Sequence, residues 1–310
     1  MNMHEVLLPK TVTINEELFS QVKERRRGVG IYANASRTRY VRMGATQDVR
    51  RELAFQKELL QGGFPVAAVL QQGTYGLLAY WIEESLGAAH FGDLFAVDME
   101  HDGVISDLRF DQFLEIVVRF QQAQQKTMRT ISLDGENLMQ TVYFEELVKE
   151  LPDAQAKMWD AWHKMTRVLK TLPLCLTHGD FLPNNIMERG VIDLADHFEG
   201  PIGFDMVNAI TTSYWFPGTM GFEYRRRSSF SESQIDTYLE AVRSYTADQR
   251  SWDILDYFDS LFLLRACWWT VRNQDMPLLQ EWRYERFLEL VDLFLEGTSL
   301  YTHWRESKDL

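Results

Sequence analysis

The chain reads as an α+β protein of two lobes, a small antiparallel-sheet lobe over residues 1–85 and a larger, mainly helical lobe over 86–310. Three observations predict this. Short extended runs divided by turn residues dominate the first eighty-odd positions, with one helical pattern among them. Helical spacing takes over from Phe110 onward. The stretch from Tyr80 to Leu86 lies where one character gives way to the other. With 310 residues, 45% of them hydrophobic and 25% charged, the chain is long enough to build a core in each lobe.

Taken in order, RGVGIYAN and SRTRYVRMG predict two strands meeting at a turn around Asn34, Ala35 and Ser36. From Gln47 to Gln61, Val49, Leu53, Leu59 and Leu60 recur at helical spacing, and Gly62-Gly63 ends the pattern. Phe64 to Leu70 and Tyr75 to Ile82 predict two more strands. Phe110 to Met128 predicts a long amphipathic helix. Val142 to Leu172 predicts one or two more, with Pro152-Asp153 as the break. Leu174 to Thr177 is a short apolar run leading into HGD, and Trp252 to Val271 and Gln280 to Leu295 predict further helices.

The balance of charge narrows the partners. A net charge of −13 and a pI near 5.1 disfavour binding to nucleic acid or an anionic membrane, which needs a basic face. The triplets Arg25-Arg26-Arg27 and Arg225-Arg226-Arg227 are short enough to be solvated surface. No run of eighteen apolar residues predicts a membrane span. The opening MNMHEVLLPKTVTINEE has neither the basic nor the apolar region of a signal peptide, so a cytoplasmic location is expected. Cys175 and Cys267 are too few for a disulfide framework and read as buried thiols.

The chemistry concentrates in LCLTHGDFLPNNIMERGVIDLADHFEGPIGFDMV, residues 174–207. His178, Asp180 and Asn185 stand in the order H-x-D-x-x-x-x-N, and Asp193 follows a second apolar run, Val191-Ile192. Phosphoryl transfer to a hydroxyl needs a carboxylate to orient the hydroxyl and accept its proton, and oxygen ligands to hold Mg²⁺ on the phosphates. Asp180 suits the first need. Asn185 and Asp193 suit the second.

This stretch resembles the aminoglycoside phosphotransferase and choline kinase group of the protein-kinase-like superfamily. HGDFLPNNIM is similar to that group's catalytic loop, and IDLADHFEGPIGFDMV to its metal-binding segment and the closing Tyr/Phe-Asp element. The resemblance implies a kinase-like bilobal fold, Asp180 as catalytic base, Asn185 and Asp193 as metal ligands, and His178 and Asp205 as braces of the loop. It also implies a lysine or arginine on a strand, paired with a helix glutamate, touching the α- and β-phosphates of the nucleotide. RYVRMG offers Arg42 there and the following helix offers Glu52, with Arg39 and Glu58 as local competitors. Arginine in this position presents a planar fork instead of a point charge. Asn34-Ala35-Ser36 resembles the short nucleotide-positioning loop, with Ser36 as a phosphate donor, although no G-x-G-x-x-G is present. LLAYWIEES resembles the interlobe linker whose backbone contacts the nucleobase, which points to Trp81 and Ile82. The resemblance spans residues 28–210 and implies a phosphotransferase with an alcohol group as acceptor, using ATP or GTP and Mg²⁺ on a small-molecule hydroxyl.

The acceptor is not legible. Aromatic residues are plentiful after Ser213, and their ordinary use is core. An acidic helical face of Trp252, Asp256 and Asp259 would suit a cationic acceptor. Two other readings compete: a metal-dependent hydrolase using His178, Asp180, Asp196 and His197, and a non-catalytic nucleotide-binding relative. The first leaves Asn185, Pro183 and the Arg42–Glu52 pair unexplained, and the second leaves the trio Asp180, Asn185 and Asp193 without a chemical reason.

Overall fold

A computed structural model describes residues 8–24, 28–131, 133–215, 229–247, 250–271 and 277–307. The two arginine triplets and Phe216 lie outside them. The chain divides into two compact units, 1–90 with 187–192 and 91–186 with 193–310. The first unit thus ends five residues later than the sequence suggested and takes back a short later segment.

The first unit is a six-stranded antiparallel sheet and one helix. Its strands are β1 (Thr11–Ile14), β2 (Glu17–Glu24), β3 (Val29–Asn34), β4 (Arg39–Gly44), β5 (Val69–Tyr75) and β6 (Leu78–Glu84), in the order β1-β2-β3-β4-β6-β5. Val12, Ile14, Phe19, Tyr32, Val41, Met43, Tyr80 and Ile82 form one core cluster. On the other face, helix α1 (Thr46–Gly62) lays Val49 and Leu53 against Val29, Ala79 and Trp81. The helix stops at Gly63, whose φ of 80° lets its N–H reach back to the Leu59 and Leu60 carbonyls.

Phe64 to Ala68, expected as strand, is a buried connection, and β5 begins only at Val69. Pro65 has no N–H to offer a ladder, and its carbonyl instead accepts from Val191 at 2.7 Å. Val191 belongs to a hairpin of β8 (Ile186–Met187) and β9 (Gly190–Val191), following β7 (Leu174–Thr177) in the chain. Arg189 of that hairpin donates its backbone N–H to Leu86 O at 2.9 Å and its guanidinium to Ser85 O.

The second unit is helical, with β7 pairing antiparallel to β10 (Phe198–Pro201) and a small ribbon of β11 (Ser244–Ala247) and β12 (Arg250–Asp253). Its helices are α2 (Phe91–Asp102), α3 (Asp107–Lys126), α4 (Gly135–Thr141), α5 (Phe144–Glu150), α6 (Gln155–Leu169), α7 (Phe204–Ile210), α8 (Glu232–Val242), α9 (Phe258–Val271), α10 (Pro277–Glu296) and α11 (Leu300–Glu306). The break between α5 and α6 is a 3-10 turn starting at Pro152, as the sequence implied. Helix α9 packs against α5, α6, α7, α10 and α11, which is why its sequence is apolar on every side.

The expected helix from Trp252 begins only at Phe258. Trp252 lies on β12, and Asp253 turns the chain by accepting from Leu255 N at 3.0 Å. The acidic face of Trp252, Asp256 and Asp259 therefore does not form. Asp259 instead accepts from the N–H of Tyr301 at 2.8 Å, tying down the start of α11. Both cysteines are buried and unpaired by any disulfide, and burial pushes both thiols up in pKa. Among the described residues no helix is long and apolar enough to cross a membrane.

Candidate active site

Strand β7 delivers the chain into the loop that holds the motif. Its last residue, Thr177, is fixed by its hydroxyl to Phe198 O at 2.8 Å, across the pair with β10. His178 follows, wholly buried, with its ring beside Phe120 and Phe181, which stack at 4.5 Å. Its Nδ1 accepts from the N–H of Asp180 at 3.3 Å, bracing the turn from within. Gly179 sits at φ 81°, and a side chain there would run into the Asp196 backbone and the Trp268 ring. Only glycine permits both that conformation and that approach.

Asp205 anchors the turn from outside. Its Oδ2 accepts from His178 N and Gln124 Nε2, both at 2.7 Å, and its Oδ1 accepts from Gly179 N at 3.1 Å. The carboxyl is fully buried, and burial raises its pKa to about 6 despite those donors and the opposing influence of His178. The expected bracing role of Asp205 thus has a full set of partners in the structure.

Asp180 is 19% exposed at the side chain, the mouth of an otherwise closed turn. Asn185 folds back to it: Nδ2 donates to Asp180 O at 2.7 Å and to Asp180 Oδ2 at 3.1 Å. Both bonds come from the amide nitrogen of Asn185. Asp193 occupies the left-handed region at φ 60°, ψ 50°, at the head of the 3-10 turn Leu194–Asp196. The last residue of that turn, Asp196, has its backbone against Gly179 of the Asp180 loop. Among the described residues no three His, Cys, Asp or Glu side chains converge to hold a metal. His197 gives its Nδ1 to a contact with Leu194 O at 2.7 Å, a loop role.

Sequence reasoning missed one member of this group. Arg265 of α9, completely buried, donates Nη2 to Asp180 Oδ1 at 3.2 Å and Nη1 to Gly179 O at 3.3 Å. The signal was there to read. Arg265 is the only charged residue in LFLLRACWWTV, residues 261–271, and an arginine is almost never buried unless paired.

In the first unit Arg42 is the buried arginine of β4 and Arg39 the exposed one. Arg39 pairs with Glu17 on the surface at 3.2 Å. Arg42 Nε donates to Glu83 Oε1 at 2.8 Å, with the two side chains 15% and 7% exposed. Trp81 Nε1 holds the other oxygen of Glu83 at 3.1 Å, and the Arg42 guanidinium lies 5.8 Å from the Trp81 ring centroid. Arg42 is in register with Trp81, so both lie on the sheet face that α1 covers, and α1 carries Glu52 half-buried. Glu83 was not anticipated.

The residues expected at the nucleotide all lie in the first unit. Trp81 and Ile82 lie inside β6, paired with β4 on one side and with β5 on the other. Ser36 lies on the exposed β3–β4 turn with its Oγ 2.9 Å from Thr38 Oγ1. Arg42 is three residues into β4 from the Arg39 end, about 10 Å along the strand, so the structure does not bring Ser36 to it.

Comparisons with known proteins bear on the fold and the family. The aminoglycoside phosphotransferase APH(3'')-Id of Streptomyces rimosus, solved with ADP and streptomycin, superposes with a TM-score of 0.50 at 12% identity, over 81% of this chain and 92% of that one. A putative aminoglycoside phosphotransferase of Ralstonia eutropha JMP134 gives a TM-score of 0.50 at 14% identity, over 89% and 90% of the two chains. The fold is the protein-kinase-like one. No curated protein sequence matches significantly. A model described as the phosphotransferase enzyme family matches residues 35–255, the stretch that runs from before Arg42 through Asp180, Asn185, Asp193 and Asp205, and the chain belongs to that family.

Proposed function

We propose that the protein is a small-molecule kinase that moves the γ-phosphate of ATP or GTP onto a hydroxyl group. The observation that carries this is Asp180, a partly exposed carboxylate whose two oxygens are held by Asn185 and Arg265. A carboxylate held in this way is suited to receiving a hydroxyl at a fixed angle. In a loose phosphoryl transfer the proton leaves late, so Asp180 acts first by orienting the acceptor and then by accepting its proton.

Asn185 and Asp193 would hold Mg²⁺, the neutral amide oxygen and the carboxylate leaving the remaining positions to phosphate and water oxygens. Such a two-ligand set fits the way this ion is bound in phosphate chemistry. Bound there, Mg²⁺ neutralises charge on the phosphates. His178 and Asp205 keep the loop in shape, and Arg42, with Glu83 and Glu52 on the same sheet face, would bind nucleotide phosphates.

Titration calorimetry with ATP and GTP, with and without Mg²⁺, tests the nucleotide. The expected result is Mg²⁺-dependent binding of at least one. ADP release is then screened against aminoglycosides such as streptomycin, macrolides, amino alcohols and sugars, and stimulation by a hydroxyl compound is expected. Phosphate release with no nucleotide requirement would instead favour a hydrolase.

A further inference from the structure

Arg265 lies past residue 255, the end of the stretch that matches the family model, and no motif announces it. Its guanidinium is buried completely yet reaches two acceptors on the catalytic turn, one backbone and one carboxylate. The two bonds leave from different nitrogens, so they depend on the planar fork and not on charge alone. Asn185, from the other side, holds Asp180 Oδ2. The carboxylate is thereby gripped on one oxygen by a helix and on the other by its own loop, which fixes the rotation of its plane. Asn185 alone would leave that rotation loose. The fork is itself held, because its centre lies 5.9 and 5.1 Å from the Trp268 and Trp269 ring centroids on α9, which is buried throughout from Ser260 to Thr270.

We infer that Arg265 is a positioning residue for phosphoryl transfer, setting the plane of the Asp180 carboxylate toward the acceptor hydroxyl while it secures the Gly179 carbonyl behind it. The inference rests on the phosphotransferase reading above.

The test is a cycle of four proteins: wild type, Arg265→Met, Asp180→Asn and the double variant. Release of ADP from Mg·ATP is followed with water as the acceptor. Methionine fills much of the buried volume without offering a donor. Arg265→Met is expected to lower kcat about 10- to 100-fold, the scale of a small misplacement of a reacting group, with the KM for ATP within about twofold. In the Asp180→Asn background the same replacement should change kcat by less than about threefold, because residues that act as a unit are not additive. Equal losses in both backgrounds would mean that Arg265 serves packing only, and would overturn the inference. Arg265→Lys covers the case in which the methionine variant fails to fold, since it keeps the cation and loses the fork. It should melt within a few degrees of wild type and lose about tenfold in kcat. Full turnover by the lysine variant would also overturn the inference. A wild-type protein that binds neither ADP nor GDP and releases neither from its triphosphate would sink the phosphotransferase reading, a failure visible before any substitution is made.

Discussion

Replacing Asp205 by asparagine removes a carboxyl group from a fully buried site in the second unit with little change in size. In the native protein the carboxyl titrates at about 6, raised from 3.8 chiefly by burial. Between those values the folded state holds a proton that the unfolded chain has released. Stability from this group is therefore fullest below pH 3.8 and is lost as the pH rises through 6. At pH 5, one unit below the folded value, the wild type should be about 1.4 kcal/mol more stable relative to Asp205→Asn than it is at pH 7.5. Asparagine is neutral throughout and contributes no such slope. At either pH the variant must turn an NH₂ toward Gly179 N–H or toward the His178 and Gln124 donors. A buried donor facing a donor costs about 1–3 kcal/mol. Urea unfolding of both proteins at pH 5.0 and 7.5 reads both quantities. A stability difference that stays constant between the two pH values, or that moves the other way, would refute the reasoning.

Four further outcomes are expected. Asp180→Asn should retain ADP binding by calorimetry and lose about two to four decades of turnover, the scale of a lost general base. Asp193→Ala should be more damaging to turnover than Asn185→Ala, because it removes the formal charge facing a divalent cation, and Mn²⁺ titration should restore part of the activity of Asn185→Ala but little of Asp180→Asn. Glu83→Gln, which takes one carboxylate from the partly buried Arg42, should lower stability by about 1–3 kcal/mol in urea melts and raise the KM for ATP, whereas Glu58→Gln, on the exposed face of α1, should do neither. His197→Ala should keep turnover within about threefold of wild type in a steady-state assay, since substitutions away from the chemistry have small effects.

What the sequence disclosed followed from how local each feature is. Asp180 and Asn185 are five residues apart in one loop, and their side chains meet as that spacing implies. Arg265 reaches the same carboxylate from 85 positions further on, so only its isolation in an apolar helix could have flagged it. The resemblance of LLAYWIEES to a linker points to Trp81 and Ile82 for the nucleobase, yet both also fall inside the strand predicted from Tyr75 to Ile82. All five of Ala79 to Glu83 are buried, β6 being covered on both faces, so period two vanishes where the strand continues. Glu83 was hidden in the same run. The segment from Trp252 misled for a different reason: it contains no glycine or proline, and the turn is made by the Asp253 side chain, which accepts from a backbone N–H two residues on.

The return of residues 187–192 to the first unit has a consequence for synthesis on the ribosome. The sheet and α1 emerge with the first ninety residues, but the hairpin that satisfies the Pro65 and Leu86 carbonyls comes only with Arg189 and Val191. At a translation rate of roughly 5–20 residues per second, that hairpin lags by roughly 5–20 s. During the interval those two carbonyls lack their partners from the hairpin, and a chain cut at His90 would lack them permanently. A shortened version of the first unit would need the hairpin grafted back through a linker before its sheet could be studied alone.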